Sequence, residues 1–359
     1  MSLSRLIIHQ FRNINSATLN FNSKINVLLG PNGSGKTSLL EAIYFIGLGR
    51  SFRTHLTSRV VEHECKSFTL FSEIKNNNAL IPIGLQKSKS GETLLKINGS
   101  YCKKLANLTQ YLPLQLITPE GYTLLSGSPK NRRAFLDWGV FYHDPIFYTN
   151  WSRIKRLLKQ RNAALKQCKT YNELQVWDNE LCVLSEEISQ QREAYFELLM
   201  PLVKQTLSDF LPDFSITSQF FCGWDKNNKS LQNYLIDNFY RDKQMGYTSA
   251  GPQKADLRFK INGIPVSDVL SRGQLKLFVY ALRLAQGLFL KSFDNRQCVF
   301  LIDDFSSELD QNKQQILAKH IINSDAQVFI SVIAQENIDS LFGQEQTVFH
   351  VEHGKITVE

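Results

Sequence analysis

The chain has 359 residues, with 41 lysines and arginines against 33 aspartates and glutamates. Its length allows a large core in one big domain with an insertion or in two modest domains, and its 43% apolar and 21% charged fractions are those of a soluble globular protein. The net charge of +8 favours a polyanionic partner such as nucleic acid or anionic lipid, and the six scattered cysteines, with no Cys-x-x-Cys pair, exclude a zinc or disulfide framework.

The first ten residues, Met1–Gln10, hold no long apolar run, and no segment approaches the roughly 18 apolar residues of a membrane span. A cytoplasmic chain with reduced thiols and no membrane partner is expected. Short strands are predicted at Leu3–His9, Ala17–Phe21 and Ile25–Leu29. The third leads into Gly30-Pro31-Asn32-Gly33-Ser34-Gly35-Lys36-Thr37, followed by a helical run to about Gly47. This is the GxxxxGK[ST] form of a P-loop between a strand and a helix, the context that motif requires. Residues Gly30 to Gly35 would turn backbone N–H groups toward phosphate oxygens. Lys36 would reach the β- and γ-phosphates, and Thr37 would supply an oxygen to Mg²⁺. A nucleoside triphosphate is the implied ligand.

Phe68–Ile74, Leu80–Gln86 and Thr93–Ile97 alternate apolar residues between turns and read as an antiparallel meander. Helical patterning dominates from about Asn131 to Phe210. Within it Leu174, Trp177, Leu181, Leu184, Ile188, Gln191, Tyr195 and Leu198 form an a/d seam, with Pro201 as its expected end. An earlier apolar stripe ends near Cys168, and Lys169–Tyr171 connects the two. Two antiparallel helices then make either a projecting arm or a plain helical subdomain. Arg153, Lys155, Arg156, Lys159, Arg161, Lys166 and Lys169 occur with no acidic residue from Trp151 to Thr170, and Lys130, Arg132 and Arg133 lie just upstream. Such a strip suits DNA phosphates, with Arg132, Arg133, Arg153, Lys155, Arg156 and Lys159 as candidate contacts; a solvated helix face is the alternative.

Strands at Phe214–Phe220, Asp256–Ile261, Cys298–Ile302, Val328–Ile333, Thr347–Glu352 and Lys355–Val358 alternate with helices, which argues an α/β core with a parallel sheet. The third of these, continued as Val299–Asp304, has Walker B form. Asp303 would hold the Mg²⁺ shell, and Asp304 would polarise an attacking water. With Lys36, Asp304 is the candidate catalytic pair. Ser271-Arg272-Gly273-Gln274 precedes it at the head of a strongly periodic helix, where Ser271, Gly273 and the helix end form a phosphate-facing cap.

That stretch resembles the ABC ATPase signature LSGGQ, with Arg272 in place of its first glycine, and Ser307–Asp310 resembles the D-loop that follows Walker B. The resemblance implies head-to-tail dimers in which ATP lies between one copy's P-loop and the other's Ser271–Gln274. The P-loop and the signature lie too far apart for a transporter subunit and too close for an SMC protein with long coiled coils. Phe11–Asn13, Gly49–Arg53, Gly127–Arg133, Phe135–Gly139, Leu158–Asn162 and Gly251–Gln253, together with the ATP motifs, closely resemble the bacterial RecF family of SMC-like ABC ATPases.

The fold implied is an ABC-ATPase head, a P-loop parallel sheet plus an antiparallel β meander, with an inserted helical arm. Residues 1–118 and 250–359 would form the core and 119–249 the insertion. The activity implied is that of a recombination mediator in replication and repair, a weak DNA-dependent ATPase. It would dimerise on ATP, bind duplex DNA near single-strand gaps, act with RecR and RecO to load RecA, and leave on slow hydrolysis. Asp304 stands where ABC proteins usually carry glutamate, which points to slow turnover. No histidine follows Val328–Ile333, where Ser331 is the nearest polar group, and Gln115 is the candidate Q-loop glutamine. Arg50 and Arg53 are expected either to touch DNA or to order the P-loop helix.

Overall fold

The computed structural model describes residues 1–76, 79–305, 309–334, 338–342 and 346–358, without the side chains of residues 339 and 340. In chain order the first part holds β1 (Ser2–Phe11), β2 (Ile14–Asn20), β3 (Ile25–Leu29), α1 (Lys36–Leu48), β4 (Ser67–Asn76), β5 (Ala79–Ser88), β6 (Thr93–Ile97), β7 (Ser100–Tyr101), α2 (Ala106–Thr109) and β8 (Leu114–Ile117). Next come α3 (Thr123–Ser126), α4 (Pro129–His143), α5 (Phe147–Leu165), α6 (Gln175–Phe210), β9 (Ile216–Phe221), α7 (Leu231–Asp237), α8 (Phe239–Met245), β10 (Asp256–Ile261), β11 (Ile264–Pro265), α9 (Val266–Val269) and α10 (Arg272–Asp294). The last are β12 (Val299–Ile302), α11 (Gln311–Ser324), β13 (Gln327–Val332), α12 (Ile338–Phe342), β14 (Gln346–Glu352) and β15 (Lys355–Val358).

These form two compact units, residues 1–121 with 280–359, and residues 122–279. The first unit carries two six-stranded sheets, ordered β2-β1-β4-β5-β6-β7 and β15-β14-β3-β13-β12-β8. The first sheet is antiparallel throughout, and the period-two burial of Phe68, Leu70, Ser72 and Ile74 along β4 shows that one of its faces is covered. In the second, β8, β12, β13, β3 and β14 run parallel and β15 turns back antiparallel. Its central strands are buried along their length, with all four residues of β12 and all six of β13 buried. Helix α1 is buried nearly all round and shares a core with Phe11, Phe45 and Phe68, whose rings meet edge-on at 5.0–6.1 Å. A side chain at Gly47 would come within 2.1 Å of Leu114, so α1 reaches β8 only through a glycine there.

The second unit is built on α4, α5, α6 and the antiparallel sheet β11-β10-β9. Asn150 reaches Glu187, Arg153 reaches Glu180 and Arg161 reaches Asp178, so α5 and α6 run antiparallel. At 19 and 36 residues they extend about 28 and 54 Å. The helix α6 does not stop at Pro201 but runs through it to Phe210. Pro201 is exposed beside exposed Glu197, so the carbonyl deprived of its partner faces water rather than the core. Leu198, expected in the seam, is also exposed, and Leu199 is buried in its place. The connection is closed by a capping box between Thr170 and Glu173.

Two further differences from the sequence reading are topological. The return to the core, expected at residue 250, comes at Tyr280. Strand β10 pairs with β9 and β11, which keeps residues 256–265 with the helical insertion. Strand β8, which no sequence signal marked, pairs with β12 at the edge of the parallel sheet. No helix among the described residues is long and apolar enough to cross a membrane.

Candidate functional site

In the parallel sheet β13 lies between β3 and β12, so the P-loop after β3 and the acidic pair after β12 emerge at the same strand ends, with the end of β13 between them. The loop needs its glycines. Gly33 and Gly35 have φ of 78° and 121°, and a side chain at Gly30 would come within 2.2 Å of the Val351 carbonyl. Helix α1 starts at Lys36 with no side-chain cap, leaving its first-turn N–H groups for an anion. Two distant segments brace the turn: Asn13 Nδ2 donates to the Ser34 carbonyl at 3.2 Å, and the Gly354 N–H donates to the same oxygen at 2.8 Å.

Lys36 Nζ folds back to donate to the carbonyls of Gly30 at 2.6 Å and Pro31 at 2.9 Å. Burial pulls its ammonium below the usual lysine range, opposed by the nearby charges of Asp303 and Asp304. Thr37 Oγ1 donates to the Asp303 carboxylate, 3.1 and 3.0 Å from its two oxygens. The hydroxyl and carboxylate expected to share Mg²⁺ are thus adjacent, although 266 residues apart in sequence.

Ser331, at the end of β13, donates to Asp303 Oδ1 at 2.7 Å and accepts the Asp304 N–H at 2.8 Å. Burial pushes the Asp303 carboxyl above its ordinary range, against the hydrogen bonds from Ser331 and Thr37. Asp304 has φ of 58°, a left-handed conformation that aspartate adopts more readily than bulkier residues. Its backbone is therefore specified along with its carboxylate.

Behind the loop Glu41 is fully buried and accepts from Arg12 at 2.9 and 2.7 Å and from Ser51 at 2.5 Å. Arg53 lies 3.7 Å from it. The Phe11–Asn13 and Gly49–Arg53 stretches thereby order α1 from both sides, and Arg50 and Arg53 are both exposed. Gln115 does not serve as a Q-loop. It is fully buried within β8, with its amide donating to Gln286 at 2.9 Å and accepting from Arg283 at 2.9 Å.

The signature segment opens α10. Gln274 Oε1 accepts the Ser271 N–H at 2.8 Å and Ser271 Oγ accepts the Gln274 N–H at 3.3 Å, a reciprocal cap. Ser271, Arg272 and Gly273 are exposed and Gln274 is half-buried. Ser307 and Glu308 of the expected D-loop lie outside the described residues; Asp310 caps α11 by accepting the Lys313 N–H at 2.8 Å.

The candidate DNA contacts separate into two groups. Arg132 forms a two-pronged pair with Asp256 at 2.8 and 3.2 Å, and Arg133 donates to the Ala255 carbonyl at 2.8 Å. Both are held at the start of β10, Arg132 by a charge pair and half-buried Arg133 through one carbonyl. Arg161 is fully buried between Asp178 and Asp242. Arg153 pairs with Glu180. Lys155 is exposed and lies 5.2 Å from the Trp151 ring, and Arg156 and Lys159 are exposed.

Sequence reasoning missed the roles of Ser331, Glu41 and Gly354. Ser331 left a signal, a hydroxyl inside the otherwise apolar end of β13. Glu41 and Gly354 left none, because each acts through a partner on a distant segment. The set as it stands suits a nucleoside triphosphate with a divalent cation. It combines an uncapped helix end, an inward lysine and hard oxygen donors at Thr37 and Asp303.

The family model described as RecF/RecN/SMC N terminal domain matches residues 2–357. The chain is 94% identical over 359 residues to the DNA replication and repair protein RecF of Psychromonas ingrahamii, covering 100% of both. It is 50% identical over 357 residues to the protein of that name from Vibrio parahaemolyticus, covering 99% of each. A solved structure of a recombination mediator protein RecF with ATP superposes with a TM-score of 0.88 at 24% identity, covering 100% of this chain and 97% of that one. An Smc head bound to a ScpA winged-helix domain gives 0.61 at 13% identity, covering 100% of this chain and 97% of that one. These two share the fold, that of an ABC-type ATPase head. By sequence and over its full length, the chain belongs to the RecF family of the RecF/RecN/SMC group.

Proposed function

We propose that the chain is an ATP-dependent DNA-binding recombination mediator of replication and repair. ATP with Mg²⁺ would draw two copies together head to tail on duplex DNA near single-strand gaps, and slow hydrolysis would release them. ATP supplies the anhydride whose cleavage times release. Lys36 exchanges the Gly30 and Pro31 carbonyls for phosphate oxygens, while Thr37 and Asp303 hold the cation. Asp304 orients water, its backbone fixed by Ser331. Partners of the RecR and RecO type, and RecA, follow from the family resemblance and from the RecFOR pathway of the solved relative.

The observation that carries the reading is the exposed signature on a capped helix. A side chain at Gly273 would meet nothing in its own chain nearer than 3.9 Å, so this chain's packing does not require glycine there. Close approach by a nucleotide held on another copy does require it. Lys36→Ala is expected to abolish ATP binding, whereas Ser271→Arg should bind ATP nearly as tightly as the parent and stay monomeric in sedimentation. An ATP-driven dimer of Ser271→Arg would sink the mechanism. DNA affinity should tighten with ATP across a salt series.

A further inference from the structure

The second unit contains an open groove of about 600 Å³ whose lining includes Trp151, Lys155, Lys159, Asn162, Lys166 and Gln253. Lys155, Lys159, Asn162 and Lys166 follow one another at helical spacings of three and four, so they share one face of α5 and its cap over about 16 Å. No acidic residue lines the groove. Lys159 and Lys166 are exposed and have no ion-pair partner among the described residues.

The polar wall is built from behind. Buried Arg161, paired with Asp178 and Asp242, donates to Thr248 Oγ1 at 2.9 Å. Thr248 donates its own hydroxyl to Asn162 Oδ1 at 2.7 Å, and its backbone N–H donates to the same oxygen at 2.9 Å. A backbone N–H can only donate, which fixes the amide orientation of Asn162. Its Nδ2 donors, with no partner among the described residues, are left for an external acceptor. Gln253 is pinned by donating to the Ala250 and Thr248 carbonyls at 2.8 and 3.3 Å. The groove thus presents three ammonium groups and an oriented amide donor.

We infer that this groove, complete within one copy of the chain, is a seat for the phosphodiester backbone of DNA, with Lys155, Lys159, Asn162 and Lys166 as its phosphate contacts. The inference rests on the DNA-binding reading above but assigns the contacts differently, leaving out Arg132 and Arg133. A complete groove holds DNA weakly without ATP, and dimerisation adds avidity by presenting two such grooves.

The test is fluorescence anisotropy of labelled duplex and single-stranded DNA without nucleotide, from about 50 to 200 mM salt. The parent is expected to bind, and K159A/K166A to bind duplex about tenfold more weakly with a log–log salt slope shallower by about 1.8. K159R/K166R should restore affinity. Both alanine positions are exposed, and an unchanged thermal midpoint verifies folding. An unchanged slope, or no nucleotide-free binding by the parent, overturns the assignment. So does a double variant that loses tripolyphosphate binding while keeping its DNA affinity. ATP-driven dimerisation, followed by sedimentation, stands or falls separately.

Discussion

Ser331 Oγ lies 2.7 Å from Asp303 Oδ1 and donates to it, tying the end of β13 to the end of β12. The same oxygen accepts the Asp304 N–H. Removing the hydroxyl leaves a buried carboxylate one donor short and a backbone donor unpaired, at about 1–3 kcal/mol for an unsatisfied group. Ser331→Ala is expected to slow ATP hydrolysis roughly tenfold while nucleotide affinity changes by less than about threefold, since the P-loop is untouched. Steady-state hydrolysis beside equilibrium nucleotide binding separates the two. An equal loss in both would assign Ser331 to folding alone.

Asp303 makes the ligand-free site sensitive to pH. Burial raises its carboxyl above the ordinary range, so the folded state holds that proton more tightly than the unfolded chain does. Below the unfolded value of about 3.9 this costs nothing; as pH climbs through the raised value stability is lost, and the loss then stays constant. Asp303→Asn should therefore melt above the parent at neutral pH without nucleotide, with the gap closing toward pH about 4. A gap independent of pH would contradict burial as the cause.

Arg161 is a structural cation in the middle of a basic run. Replacing it with alanine leaves Asp178 and Asp242, both fully buried, without their counter-charge. The expected cost is about 3–5 kcal/mol in urea unfolding. Exposed Arg156→Ala should change stability by less than about 0.5 kcal/mol. Similar small effects from both would mean that the buried pair is not formed.

Gly354 links the β14–β15 turn to the P-loop. Its φ is 80°, its N–H donates to Ser34, and a side chain there would come within 1.9 Å of the Asn13 carbonyl. Gly354→Ala is expected to cost about 1–3 kcal/mol and to weaken ATP binding, because Asn13 and Ser34 must both shift. Calorimetric titration with ATP at a temperature well below the variant's midpoint reads the second effect. Destabilisation with unchanged affinity would show that the brace does not reach the loop.

Local motifs were legible because their chemistry is local. Strands β3, β6, β10 and β15 were bounded correctly from alternation and turn residues alone. The P-loop needs only a strand, a glycine turn and a helix start, all contiguous. Charge by itself did not tell which cations the fold holds. Arg132, Arg133 and Arg161 look like their solvent-facing neighbours, and their acidic or carbonyl partners lie elsewhere in the chain. Gln115 looked like a loop glutamine because β8 is only four residues long and takes its identity from pairing with β12.

The amino-acid order alone therefore marked the glycine turn before α1, the acidic end of β12, the head of α10 and the family to which the chain belongs. Each is a short-range pattern of backbone freedom, hydrogen-bonding groups and periodicity. Folding decided which of these groups face one another. The insertion of β13 between β3 and β12 puts Ser331 beside Asp303 and Asp303 beside Thr37. The packing of α5 against α6 turns one arginine of the basic run inward and leaves the lysines at 155, 159 and 166 outward. Strand order and helix facing depend on burying apolar surface across the whole unit, which no local stretch of sequence specifies.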